Sequence, residues 1–289
     1  MISYFVIYLM APLIFIFGLV GNLLGLLVLL RKNLAKIGPR IMYRFLLIMD
    51  IINLLSIFVN YLNSAFNFNL QIISTYSCKL YWYLILLVGP IPPYILLYIS
   101  VEKIIATKYP TRKYFLRKTE TQIIYFLIIT SYSSVYYLET LFIFDVIQLP
   151  ISNSTTLSVC FTSNYELFHI GILMDILNRV LIPTILMFLT SIIFLNSIWK
   201  LNQRIAQNFG TNKNLRKQIS RIVSLLILNI FFIFSSLPIS IVGFFYTNLD
   251  IEFSACYYFR FIAYSINFYV FLFTNSLFRK EFLSLVFKN

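Results

Sequence analysis

The chain has 289 residues, of which 60% are hydrophobic, 18% aromatic and only 11% charged. Soluble domains carry about 25% charged and about 45–50% apolar residues, so a water-soluble enzyme is excluded, and such hydrophobicity also excludes a disordered chain. The 23 Lys and Arg against 10 Asp and Glu leave a net charge of +13, which points to nucleic acid in a soluble protein but to loop orientation in a membrane protein.

A transmembrane helix needs about 20 mostly apolar residues. In chain order, the apolar runs predict seven spans, at roughly 4–30, 41–66, 79–101, 121–146, 167–199, 220–247 and 255–274. The first run, Met1 to Leu30, has no charge and no basic leader. It is far longer than the ~7–15 residues of a signal-peptide core, so it is expected to stay as the first span. The connections are Arg31–Arg40, Asn67–Ser77, Glu102–Glu120, Pro150–Glu166, Lys200–Arg221 and the neighbourhood of Asp250–Glu252, each too short for a further domain. The expected fold class is an all-α membrane protein, a single seven-helix domain over 1–289 without internal repeats. A short amphipathic helix follows at 275–287, with Phe278, Phe282, Leu285 and Val286 opposed to Arg279, Lys280, Glu281 and Lys288. That pattern belongs to a helix lying among membrane lipids at the interface.

The basic residues sort by loop. Twenty of the 23 fall in the first, third and fifth connections, at their edges or in the tail. Only Lys79, Arg179 and Arg260 lie elsewhere. The positive-inside rule then puts the N-terminus outside and the C-terminus in the cytoplasm. The +13 becomes a label of topology, and nucleic-acid binding is set aside.

Motifs within the spans narrow the class. The first span holds Gly21-Asn22, and the second Asp50-Ile-Ile-Asn53. The third opens at Cys78 and ends with Glu102-Lys103-Ile104 and, further on, Lys108-Tyr-Pro110. The sixth holds Phe232 and Phe234-Ser-Ser-Leu-Pro238, and the seventh Asn267-Phe-Tyr-Val-Phe271, followed by Phe278-Arg279. Cys78 and Cys160 face the oxidising side with Cys256 nearby, which leaves three single pairings open. Asn153-Ser-Thr155 is a glycosylation sequon on the same side.

Together these motifs resemble those of the rhodopsin-like G-protein-coupled receptors, over the whole chain, with an invertebrate peptide or orphan receptor as the finer likeness. The resemblance implies a plasma-membrane receptor that takes an extracellular peptide or small ligand in its outer helical cavity. It would activate a heterotrimeric G protein through movement of helix six. It implies a Cys78–Cys160 disulfide, and it makes Asp50, Asn22 and Asn267 a polar switch. A carboxylate at mid-membrane depth is in any case costly and a functional candidate. No metal or cofactor is expected: the family's sodium-binding serine falls on Pro92, and its helix-seven Asn-Ser pair on Ala263-Tyr264.

Several positions depart from the family. Glu102-Lys103 replaces Asp-Arg, and Lys lacks the bidentate fork of Arg. The toggle Trp is Ser236, and the helix-seven Pro and Tyr are Phe268 and Phe271. Helix four has no Trp between Thr121 and Ile147. Pro238 and Phe232 keep the family's helix-six proline and aromatic connector, with Pro183 similarly placed in helix five. Pro90, Pro92 and Pro93 must bend or loosen helix three.

For the ligand, Asp175, Arg179 and Arg260 are the ionisable groups of the outer half. Asp175 and Arg179, four apart, share a helix face and either shield each other or leave Arg179 to converge with Arg260 on an anionic ligand. The family's amine-binding acid is Ile85, which argues against an amine, and the seventh span has no lysine for a retinal Schiff base. His169 is assigned no role. Enzyme chemistry finds no metal cluster or activated nucleophile. The competing classes are a non-signalling or chemosensory receptor relative, motivated by the altered motifs, and a seven-span transporter or channel, which lacks a continuous line of ionisable groups.

Overall fold

The computed structural model describes residues 6–31, 34, 39–66, 68–108, 113–152, 155–162, 165–207, 213–245, 256 and 258–287. Helix α1 (Ala11–Leu29) follows a π-helical turn (Val6–Met10) and packs beside α2 (Arg40–Phe66). The third apolar stretch, Thr75–Ala106, is built from α3 (Thr75–Val88) and α4 (Ile91–Lys108). It divides at Gly89-Pro90, and Pro92 and Pro93 fall in the first turn of α4, where a proline's fixed φ suits the helix. The three prolines thus interrupt helix three once.

A loop helix α5 (Lys113–Arg117) precedes α6 (Thr119–Tyr136) and the short α7 (Thr140–Ile143). A π turn (Leu177–Leu181) joins α8 (Tyr165–Ile176) to α9 (Ile182–Gln207). The chain continues with α10 (Lys213–Phe245), α11 (Ile262–Thr274) and α12 (Ser276–Val286).

Among the described residues, five helices are long and apolar enough to cross a membrane: Tyr8–Leu29, Arg40–Asn63, Thr75–Ala106, Thr119–Ile143 and Ile170–Asn196. Tyr258–Thr274 with Ser276–Val286, bent by 97°, makes a sixth if taken as one span. The expected sixth segment, 220–247, differs from expectation. Its described apolar part is the shorter Leu225–Ile239, inside a helix that opens with the polar run Lys213-Asn-Leu-Arg-Lys.

The fold also departs from all-α. Residues expected to end span four and to form the following loop make an antiparallel hairpin, β1 (Phe144–Ser152) with β2 (Thr155–Thr162), Val146 facing Cys160. Span four stops at Ile143. The β-branched and aromatic content of Phe144-Asp-Val-Ile and Val159-Cys-Phe-Thr162 favours strand pairing there.

Burial is inverted relative to a soluble protein. Along α1 the side chains of Leu13, Ile16, Phe17, Val20, Leu23 and Leu27 are exposed, while Asn22, Asp50, Glu102, Asn178 and Ser236 are 0% exposed. Apolar surface outside and polar groups facing one another inside is what a lipid solvent demands. The molecule is a membrane-embedded helical protein. Close packing of α1 rests on Gly18, where an added Cβ would come within 2.5 Å of Leu54 Cδ1 and 3.1 Å of the Ser265 Cα. Small residues let membrane helices approach in this way.

Candidate functional site

The candidate residues fall at three depths. At one end, Ser74 caps α3 by accepting from Ser77 N at 3.1 Å, which presents Cys78 to the hairpin. Cys78 and Cys160 form the disulfide, with Cα atoms 5.6 Å apart; Cys256 is half-buried. The Thr75 hydroxyl donates to Asp145 Oδ1 at 2.7 Å, and the Trp82 ring stacks on Phe144 at 5.1 Å. The sequon residue Asn153 lies outside the described residues.

Asp145 is held below the usual carboxylate range by the Thr75 hydroxyl, then by the Val146 N–H and the charge of Lys79. Its folded value lies below its unfolded one, so it stabilises the docked hairpin above the ordinary value of 3.8 and loses that contribution as pH falls further. The melting temperature of the native chain is therefore expected to exceed that of Asp145→Asn at pH 6. The gap should narrow as pH falls below 3.8; a gap constant with pH would remove the carboxylate from hairpin docking.

Deeper in, the chain widens into the π turn that precedes Pro183, with the Ile182 N–H donating to Leu177 O. The turn carries Asn178 and Arg179 inward. Asn178 Oδ1 accepts from the Tyr94 and Tyr132 hydroxyls at 2.9 and 3.2 Å, and its amide donates to the Tyr137 hydroxyl. Tyr137 in turn donates to Asp175 Oδ1 at 2.9 Å. Arg179 is 2% exposed, with Nε 3.0 Å from Asp175 Oδ1. Its Nη2 lies 3.4 Å from the carbonyls of both Ile85 and Leu86. The guanidinium is therefore committed to an internal ion pair and to helix three, and Ile85 meets it through its backbone. Arg260 is buried, 5.7 Å over the Phe261 ring, and both arginines lie within electrostatic reach of Tyr264.

At mid-depth, Asn267 Nδ2 donates to Asp50 Oδ2, tying α11 to α2. Asn22 is placed differently from the expected direct partner: its amide donates to the Tyr264 carbonyl at 2.9 Å. Phe268 and Phe271 act through ring packing. Phe271 meets Tyr43 edge-on at 5.0 Å, and both rings touch Phe278 of α12. Asn275 starts α12 by accepting from Leu277 N and Phe278 N. Phe232 is buried beside Leu225 and Leu228, and Pro238 sits inside a continuous α10.

At the other end of helix three, Glu102 is fully buried between two cations. Lys103 Nζ lies 3.0 Å from Oε2, and Arg117 Nε 2.5 Å from Oε1. Arg117 was missed by sequence reasoning, which counted it only as a loop charge. The Tyr98 hydroxyl holds its loop helix through Leu116 O at 2.8 Å. Gln122 clamps the same turn, donating to Arg117 O at 2.9 Å and accepting from Met42 N at 3.2 Å. Beside this triad, Ser100, Lys103, Ser191, Leu225 and Asn229 line a small cavity between α4, α9 and α10.

No protein-family model matches this chain, and no curated protein does. The site must therefore be read from its own chemistry. It offers a buried, doubly countered acid at one end, a carboxylate–amide pair at mid-depth and a disulfide-held hairpin at the other end. Among the described residues no group of His, Cys, Asp and Glu could hold a metal ion.

Proposed function

We propose that this chain is a rhodopsin-like receptor of the plasma membrane. It takes an extracellular peptide or small ligand at the disulfide end and activates a heterotrimeric G protein at the Glu102 end, with a seven-span topology, N-terminus outside. The observation that carries the reading is the Lys103–Glu102–Arg117 triad: an acid at 0% exposure restrains a neighbouring cation next to a cavity lined by α4, α9 and α10. Movement of α10 would enlarge that cavity and free Lys103 for the partner. The Asp50–Asn267 pair and the Cys78–Cys160 bond support the same reading.

The test is nucleotide exchange on purified heterotrimeric G proteins in membranes carrying the full chain, against peptide and metabolite panels. Ligand-stimulated exchange is expected, lost on Lys103→Ala and retained on Lys103→Arg. A ligand that binds without any exchange would favour the second reading, a non-signalling relative, for which the substitutions at Lys103, Ser236 and Phe268 speak. Ligand-independent solute flux in proteoliposomes would instead point to a transporter.

A further inference from the structure

Each proline inside a helix removes the N–H that would pair with the carbonyl four residues earlier. Pro90, Pro92 and Pro93 thereby release the carbonyls of Leu86, Val88 and Gly89. In a membrane interior such acceptors must be satisfied by other groups of the protein. Each meets a donor from a different helix. Arg179 Nη2, from the π turn before α9, lies 3.4 Å from Leu86 O. Asn53 Nδ2, from α2, lies 3.5 Å from Val88 O. The Tyr264 hydroxyl, from α11, donates to Gly89 O at 3.2 Å and is the shortest of the three.

The surroundings suit this arrangement. Gly89 leaves room for the guanidinium, since a Cβ there would sit 2.4 Å from Arg179 Cζ. Asp175 holds the same guanidinium from its other side at 3.0 Å. Tyr264 is 2% exposed, and its own carbonyl accepts from Asn22 at 2.9 Å. The break is thereby linked to the level of Asp50 and Asn267. Helices two, five and seven all converge on one interruption of helix three.

We propose that residues 86–93 form a joint in helix three, latched by Arg179, Asn53 and Tyr264 as positioning residues, through which displacement of its outer half reaches Glu102. Its signalling role rests on the receptor reading; the latch itself does not. With Ser236 in place of the family's toggle Trp, the joint supplies another route from the outer half to the inner one.

Double-mutant cycles on the full chain in detergent test the latch, because each donor answers to one proline. Tyr264→Phe should lower the melting temperature by about 2–4 °C, the value of one buried hydrogen bond in a protein of this size. That cost should vanish in a Pro93→Ala background, which returns an N–H to Gly89 O, and persist in Pro90→Ala. Arg179→Gln should show the opposite dependence, easing in Pro90→Ala alone. An equal Tyr264→Phe cost in every background overturns the latch.

Should the alanine variants fail to fold, amide exchange decides on the native proline background. The peptide covering 84–96 should exchange faster in Tyr264→Phe, but not in the control Tyr269→Phe, whose hydroxyl donates to Phe17 O instead. Unchanged exchange there overturns the proposal. These readouts need no G protein. A matched coupling pattern without altered nucleotide exchange in any variant would leave the latch and remove its signalling role.

Discussion

Glu102→Ala is expected to cost about 3–5 kcal/mol of stability, the range for removing one partner of a buried ion pair. The carboxylate is fully buried, and the Lys103 side chain that it counters is only 9% exposed. Removing the acid takes the countercharge from that buried ammonium, beside the small cavity lined by Ser100, Ser191, Phe194, Leu225 and Asn229. Arg117 suffers less, because its side chain is 31% exposed and can turn to solvent. The complementary Arg117→Ala should cost less than Glu102→Ala, because Lys103 stays beside the buried acid. Thermal unfolding of the two variants in detergent measures the ratio. Equal losses would mean that Arg117, not Lys103, is the main counterion.

The same substitution tests what the triad holds in place. Glu102 ties α4 to α5 through Arg117, while Tyr98 and Gln122 provide independent ties. Loss of the acid should therefore loosen the loop helix without releasing it. Amide exchange over 113–122 should rise, yet remain slower than in a Glu102→Ala, Gln122→Ala double variant. On the receptor reading, basal nucleotide exchange rises with it. Lys103→Ala should reverse that rise, since the freed cation would be the group that meets the partner.

How much of this was legible in the sequence depends on whether a feature is set by the local chain or by what packs against it. Apolar runs reveal helices bound for lipid, because length and hydrophobicity suffice; Arg40–Phe66 and the Ser276–Val286 helix lie close to their expected bounds. Motif order brought Asn267 to Asp50 and Cys78 to Cys160. The hairpin was hidden because Phe144–Ile147 continues the apolar run of span four, and only its pairing with Val159–Thr162 makes it a strand. Arg117 was hidden because loop cations serve topology first, so a single cation turned inward has no local signature. Arg179 was read either as the ion-pair partner of Asp175, which it is, or as a cation for a ligand. Its actual partners include a backbone carbonyl released by Pro90, a proline 89 residues away in sequence. Prolines in a span announce unpaired carbonyls but do not name the donors.

Loss of the Cys78–Cys160 bond is expected to be the other large effect. The bond joins residues 82 apart and so closes a long loop, for which removal costs about 2–5 kcal/mol. The lower half of that range is expected, because helices held in a membrane already limit the unlinked chain. The hairpin also keeps two other ties to α3, the Thr75–Asp145 hydrogen bond and the Trp82–Phe144 stack. Cys78→Ala, Cys160→Ala and the double variant should all melt at one temperature, since each removes the same bond. An additive double variant would mean that the thiols contribute by packing alone. Asp145→Asn should cost more once the bond is gone, because the hydrogen bond then becomes a principal tether of the hairpin. That excess should be present at pH 6 and shrink progressively as pH falls below 3.8. On the receptor reading, the doubly weakened hairpin also loses its hold beside the ligand's entrance. Affinity should then fall more steeply with acid in the unlinked variants than in the native chain.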